Sequence, residues 1–357
     1  MTFFNRWSLG SLEPLVIGMA AAVFIIFTQL AEEFPMFKHS HTHSNIVISI
    51  ALILVAGVAA SAQIGGLGGI TKKLKKQAPV PNVLGGNMPI TTSLPDAKWG
   101  DASKDGFTPR DPQRSLMTLQ RTPNGGFVLQ SGYYVLVDQS YCLHAGTHGP
   151  GGGDGYLYAP PKGPAEDAVI SIVRNSVQHP EIQQHDIQLL LWAIIARAKF
   201  EDLSTDLKAT AARLLTPRQL ATLNRSALDA LSGNQLTNAL GGVPEPLRQI
   251  AQAEAQLRSM LTTGGSYADI ERVAVLSGNA PTGPGSQEIP SGRWSLHPDG
   301  YYVRYIPSSY TTTRVEIWVQ QGSAAVGKEY DPATHIAVPG NTARQRLIQS
   351  GRPQQTQ

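Results

Sequence analysis

Between residues 181 and 200 the apolar positions Ile187, Leu190, Leu191, Ile194, Ile195 and Ala198 recur at i, i+3, i+4, i+7, i+8 and i+11. That is the period of a helix with one buried stripe. Leu189, Ala193 and Ala196 fill the opposite side, so the pattern predicts a helix apolar nearly all round and central to its domain. Gln188 falls on the flank of the stripe, between Ile195 and Trp192, where a carboxamide is at least half buried and needs a partner. Ahead of it, Ala168, Val169, Ile172, Val173 and Ser176 give another helix one buried face. Pro164 suits its first turn, with Glu166 and Asp167 at the positive end of its dipole. Residues 217–232 and 247–261 carry Leu and Ala at helical spacing and read as packing helices.

The strand signals lie on either side of these helices. Residues 117–121 and 127–129 flank Pro123-Asn124-Gly125-Gly126, a turn that predicts a hairpin. Residues 133–137 continue the sheet toward Cys142. The loop 144–155 holds six glycines but lacks the Gly-Lys-Ser/Thr ending of a phosphate loop, so no nucleotide is predicted there. Later, Val315, Ile317 and Val319 alternate with Glu316, Trp318 and Gln320, the mark of a half-buried strand. Residues 301–306, after the Pro298-Asp299-Gly300 turn, read as its neighbour.

Two apolar runs open the chain, 15–30 and 46–60. Read from Met36, the second has a weakly basic start and ends in Ala60-Ser61-Ala62, the layout of a cleaved signal peptide. Residues 1–35 are then an upstream extension, with Met36 as the start. The competing reading is a membrane hairpin held by Lys72, Lys73, Lys75 and Lys76. The expected fold class is α+β: a small antiparallel sheet packed with a helical subdomain, plus a carboxy-terminal all-β module and the amino-terminal hydrophobic segments. The expected organisation is a hydrophobic segment over 1–35, a signal peptide or second membrane helix over 36–62, and a Gly/Pro-rich linker over 63–114. An α+β domain over 115–278, a linker over 279–288, a β module over 289–340 and a flexible tail over 341–357 follow.

Composition narrows the function classes. A net charge of +3 over 357 residues, with no basic stripe interleaved with aromatics, argues against nucleic acid as a partner. One cysteine excludes an intrachain disulfide and a zinc site of the Cys-pair kind. His39, His41 and His43 could bind a metal, but on the signal-peptide reading they leave with the leader. No metal or cofactor is predicted. Trp294, Tyr301, Tyr302, Tyr305, Tyr310 and Trp318 are dense enough for a sugar-stacking platform, although aromatics in a small sheet more often form its core.

The remaining chemistry gathers at Cys142 and Gln188. A thiol and a carboxamide can condense with loss of ammonia into an internal thioester, an activated acyl group open to attack by an amine. The chemistry needs the two side chains in contact, a wall that excludes water and a group that moves protons. Tyr141 and Trp192 are the candidate shields, and His144 or His185 the proton carrier. In Tyr141-Cys142 and in Gln188 with Trp192 four positions on, residues 126–203 resemble the thioester (TQXA-type) domains of bacterial surface adhesins. Those domains carry a Tyr-Cys dipeptide on a strand and a Thr-Gln-x-Ala-x-Trp helix; here Ile187 stands for the Thr and Leu190 for the Ala.

The resemblance implies an exported protein, at the cell surface or in the periplasm, that captures amines of a surface protein or cell-envelope component covalently rather than turning substrate over. An uncleaved amino-terminal segment would add the membrane as a partner. Two other readings stay open. One is a non-catalytic envelope or appendage component with Cys142 as packing. The other is a Cys-His hydrolase with His144, His148 or His185 as base.

Overall fold

The computed structural model describes residues 88–90, 94–151, 153–228 and 245–354. The apolar runs, the Lys cluster and His39, His41 and His43 lie outside the described residues. Strands β1 (Gln113–Ser115), β2 (Phe127–Val128), β3 (Gly132–Cys142), β4 (Thr147–His148) and β5 (Tyr156–Ala159) precede the helices. These are α1 (Glu166–Ser176), α2 (Gln184–Ile195), α3 (Thr205–Leu214), α4 (Pro217–Leu228), α5 (Glu245–Thr263) and α6 (Tyr267–Ala274). Strands β6 (Val275–Leu276), β7 (Ser295–Leu296), β8 (Tyr302–Pro307), β9 (Thr312–Val319), β10 (Glu329–Tyr330), β11 (Ile336–Pro339) and β12 (Leu347–Pro353) complete the described chain.

Six strands close on themselves. In ring order β3, β12, β11, β5, β8 and β9 each pair antiparallel with the next, and β9 returns to β3. Closure gives every strand of the ring a partner on each side, save at the last residues of β3, which run past the end of β9. β1 lies parallel to the first half of β3, and β7 flanks β8. The architecture is thus mixed α and β around a mainly antiparallel barrel.

This closure corrects three expected boundaries. β8, β9 and β11, expected in a module of their own, share one sheet with β3. Alternation alone cannot show which strand a half-buried strand pairs with. The tail is not loose up to Pro353: Leu347 and Ile348 are buried and pair with Cys142 and Tyr141. From Leu94 the expected linker is ordered against the sheet. Lys98 bridges to Tyr158, the Trp294 indole donates to the Phe107 carbonyl at 3.0 Å, and Arg293 pairs with Asp105. The aromatics considered for sugar stacking are mostly core: Trp294, Tyr301 and Tyr305 are buried, and Trp318 packs with Trp294, Phe107 and Tyr302.

α2 is the central helix its sequence predicts. Ile187, Leu190, Leu191, Trp192, Ala193, Ile194 and Ile195 are all buried, and it touches α1, α3, α5, α6 and β3. The glycine-rich loop after β3 has a packing reason. A Cβ on Gly146 would come 2.6 Å from that of Ala253 on α5, and one on Gly155 would come 2.4 Å from the Pro290 carbonyl. Among the described residues no helix is long and apolar enough to cross a membrane, and no group of three metal-ligating side chains gathers.

Candidate functional site

The site forms where β9 leaves β3. Pairing of the two strands ends at Gln139 and Thr312, so one edge of the last residues of β3 is left without a strand partner while β12 holds the other. α2 covers that edge with two glutamines. Gln184 donates from Nε2 to the carbonyls of Ser140 (3.2 Å) and Thr311 (2.7 Å). Gln188 accepts the Cys142 amide N–H at Oε1 (2.7 Å) and donates from Nε2 to the Cys142 carbonyl (3.1 Å). Four helical residues rise about 6 Å and two strand residues about 6.7 Å. Glutamines at i and i+4 therefore match residues at j and j+2 of the strand, and each amide stands in for a missing ladder partner.

Cys142 is wholly buried. Burial, and secondarily the Glu271 carboxylate, push its thiol well above the ordinary value. Gln188 is also buried, and Trp192, one turn on, is sealed from solvent with its ring 6.0 Å from that of Tyr267 and 6.4 Å from that of Tyr310. A cleft of about 380 Å³ reaches Gln188 but not Cys142 or Trp192, and is lined among others by Tyr141, His185, Tyr267, Tyr310 and Arg352. Tyr141, on the opposite face of β3 from Cys142, is buried and donates to Gln139 Oε1 at 3.3 Å.

The two histidines part company. His185 sits half-exposed at the cleft, edge-on to Tyr267 at 5.4 Å and with Nε2 3.1 Å from Asp186. His144 is not among the cleft-lining residues; burial, with Arg346 nearby, pushes its imidazole well below the usual value and holds it neutral. Sequence reasoning missed Tyr267 and Glu271, and it took Tyr310 for a sheet aromatic. The Tyr310 hydroxyl donates to Glu271 and lies 3.0 Å from the Tyr267 hydroxyl. The available signal was the spacing of four between Tyr267 and Glu271 on one helix face.

Comparison with protein-family models, with curated proteins and with solved structures finds no match.

Proposed function

We propose that this chain captures amines covalently through an internal thioester between Cys142 and Gln188. The observation that carries the reading is that the Gln188 carboxamide, 46 positions away in sequence, is hydrogen-bonded to both main-chain polar groups of Cys142 in a buried setting, which brings it to the residue that bears the thiol. The pair sits on a strand and a facing helix, the elements on which the adhesin thioester domains carry theirs. Juxtaposition of this kind makes the condensation intramolecular, which supplies much of its rate.

In the forming step the Cys142 sulfur bonds to the Gln188 carboxamide carbon. The carbon–nitrogen bond breaks, and the nitrogen leaves as ammonia with the thiol proton. An incoming primary amine then attacks the same carbon. It ends as a substituted amide on residue 188, and Cys142 returns to the thiol. Trp192 limits hydrolysis by keeping water away; Tyr141, on the other face of β3, is not part of that wall. To react, the carboxamide gives up its two bonds to the Cys142 main chain, and the cleft gives it room to turn. The chain is read as an exported bacterial envelope or surface protein, joined to an amine-bearing surface protein or envelope component.

Intact mass tests this directly. The purified chain should run lighter than its sequence by one ammonia, about 17 Da, because the thioester expels it in an intramolecular reaction; Cys142→Ala should restore the full mass. A full-mass wild-type chain sinks the reading. The two hydrogen bonds between Gln188 and the Cys142 main chain also favour a second reading, in which Gln188 only completes the edge of β3 and Cys142 is packing in a non-catalytic envelope or appendage component. The same measurement separates the two.

A further inference from the structure

Beside Gln188, Tyr267, Tyr310 and Glu271 form one hydrogen-bonded line that carries no strand pairing and caps no helix. The Tyr310 hydroxyl donates its hydrogen to Glu271, so its oxygen accepts, and the Tyr267 hydroxyl 3.0 Å away is the donor to it. Both O–H bonds therefore point toward Glu271. The Tyr267 oxygen keeps lone-pair capacity for an incoming proton. Both phenols line the cleft with Gln188, and both rings lie against Trp192. Gln188, hydrogen-bonded to the Cys142 main chain, shares the cleft with both phenols and so joins Cys142 to this line.

We propose that Tyr267, Tyr310 and Glu271 are the proton relay of the Cys142–Gln188 site, an inference that rests on the thioester reading above. A thiol held protonated by burial cannot react as a free thiolate, so its proton must leave as the sulfur–carbon bond forms. That proton passes to the Tyr267 oxygen, the Tyr267 proton to Tyr310, and the Tyr310 proton to Glu271. The line then runs in reverse and protonates the amide nitrogen as the carbon–nitrogen bond breaks. One thiol and one carboxamide become one thioester and one ammonia, and Glu271 starts and finishes as a carboxylate. When an amine opens the thioester, the same line takes the amine's proton and returns one to sulfur. His185, which also lines the cleft, stands edge-on to Tyr267 and has its Nε2 3.1 Å from Asp186.

The test uses the full chain with methylamine as probe, following intact mass against time between pH 5 and 8. Glu271→Gln removes the acceptor, and Tyr310→Phe breaks the line while keeping the ring against Trp192. In both variants aminolysis should slow tenfold or more and lose the pH dependence seen in the wild type, with melting temperatures showing that both are folded. A hydrogen bond that merely ties α6 to the β8–β9 connection would leave the shape of the pH profile intact. If both variants carry the ammonia deficit and react at the wild-type rate and profile, the relay is wrong and the thioester stands. If the wild-type chain shows no deficit, the thioester reading fails and the relay falls with it.

Discussion

The Gln188 side chain meets both main-chain polar groups of Cys142, at 2.7 and 3.1 Å, and so occupies the place of a neighbouring strand. Leaving a buried donor or acceptor unmet costs about 1–3 kcal/mol each. In a Cys142→Ala background, where no thioester can form, Gln188→Ala should therefore cost about 2–6 kcal/mol by urea unfolding. Gln188→Glu carries a sharper sign. Its carboxylate accepts from the Cys142 amide but cannot donate to the carbonyl, whereas its protonated form can do both. Burial raises such a carboxyl, so the native state binds the proton more tightly, and stability should rise as pH falls. Equal stability at pH 5 and pH 8 would show that residue 188 does not complete this edge.

His297 and His335 stack with ring centroids 4.9 Å apart and planes at 23°. The His335 Nδ1–H donates to the Asp331 carbonyl at 2.7 Å and Nε2 accepts from the Tyr301 hydroxyl, so the ring is neutral with both nitrogens used. Burial, then His297, pushes His335 down to about 3, and burial pushes His297 down to about 4. The unfolded chain takes up these protons near pH 6.5 and the native chain only well below. The stabilisation is thus full above about pH 6.5 and lost as pH falls toward 4 and 3, by up to about 1.4 kcal/mol per pH unit for His335. His335→Gln, which can still donate and accept, should remove that part of the acid sensitivity in urea melts from pH 4 to 7.

Asp138 works in the opposite direction over much of the same range. Pairing of β3 with β12 shifts register between Gln349 and Pro353, and Asp138 meets the amide this irregularity frees, accepting the Gly351 N–H at 2.9 Å and the Ser350 hydroxyl at 3.3 Å. Burial nevertheless raises its carboxyl to about 7 against those hydrogen bonds. Its contribution is full below about pH 4 and lost as pH rises through 7. Glu254, raised by burial to about 7, has the same sign. Asp138→Asn keeps an acceptor for Gly351 and cannot ionise. Its stability should rise more steeply from pH 4 to 7 than the wild type's, as the histidines act with less opposition. An unchanged slope in urea melts would mean that Asp138 does not titrate in this window.

What could be read from the sequence, and what could not, follows from how local each signal is. The stripe from Ile187 to Ala198 specifies a central helix by itself, because helical period and burial are properties of one segment. The barrel was hidden. Val315, Ile317 and Val319 mark one buried face of β9, but Glu316 and Trp318 on the expected solvent face are buried too; its partner β3 lies far away in the chain, and pairing is chosen by the whole sheet. β12 was hidden for a further reason: Gln349 and Ser350 are buried polar residues, and they disguise a core strand as a polar tail. At the site, Cys142 and Gln188 stood out by rarity and setting. Tyr267, Glu271 and Tyr310 did not, since their meaning arises only where α6 and the β8–β9 connection meet.

Trp192 separates packing from protection. It is sealed among α2's neighbours and lies against Tyr267 and Tyr310, so Trp192→Ala should cost about 3–5 kcal/mol through lost burial and the cavity left behind. Trp192→Leu keeps an apolar side chain while shortening the wall, and should cost less. If that wall is what keeps water from the acyl carbon, the Leu variant should convert its 17 Da deficit, about one ammonia, to the mass of a Glu at position 188 faster than the wild type at the same pH. Tandem mass spectrometry of the peptide spanning residue 188 reads this as a gain of about 1 Da over the encoded Gln, the change expected when water rather than an amine opens the thioester. A Leu variant that is less stable yet hydrolyses no faster would make Trp192 a packing residue alone, and the shield would then rest on the two phenols.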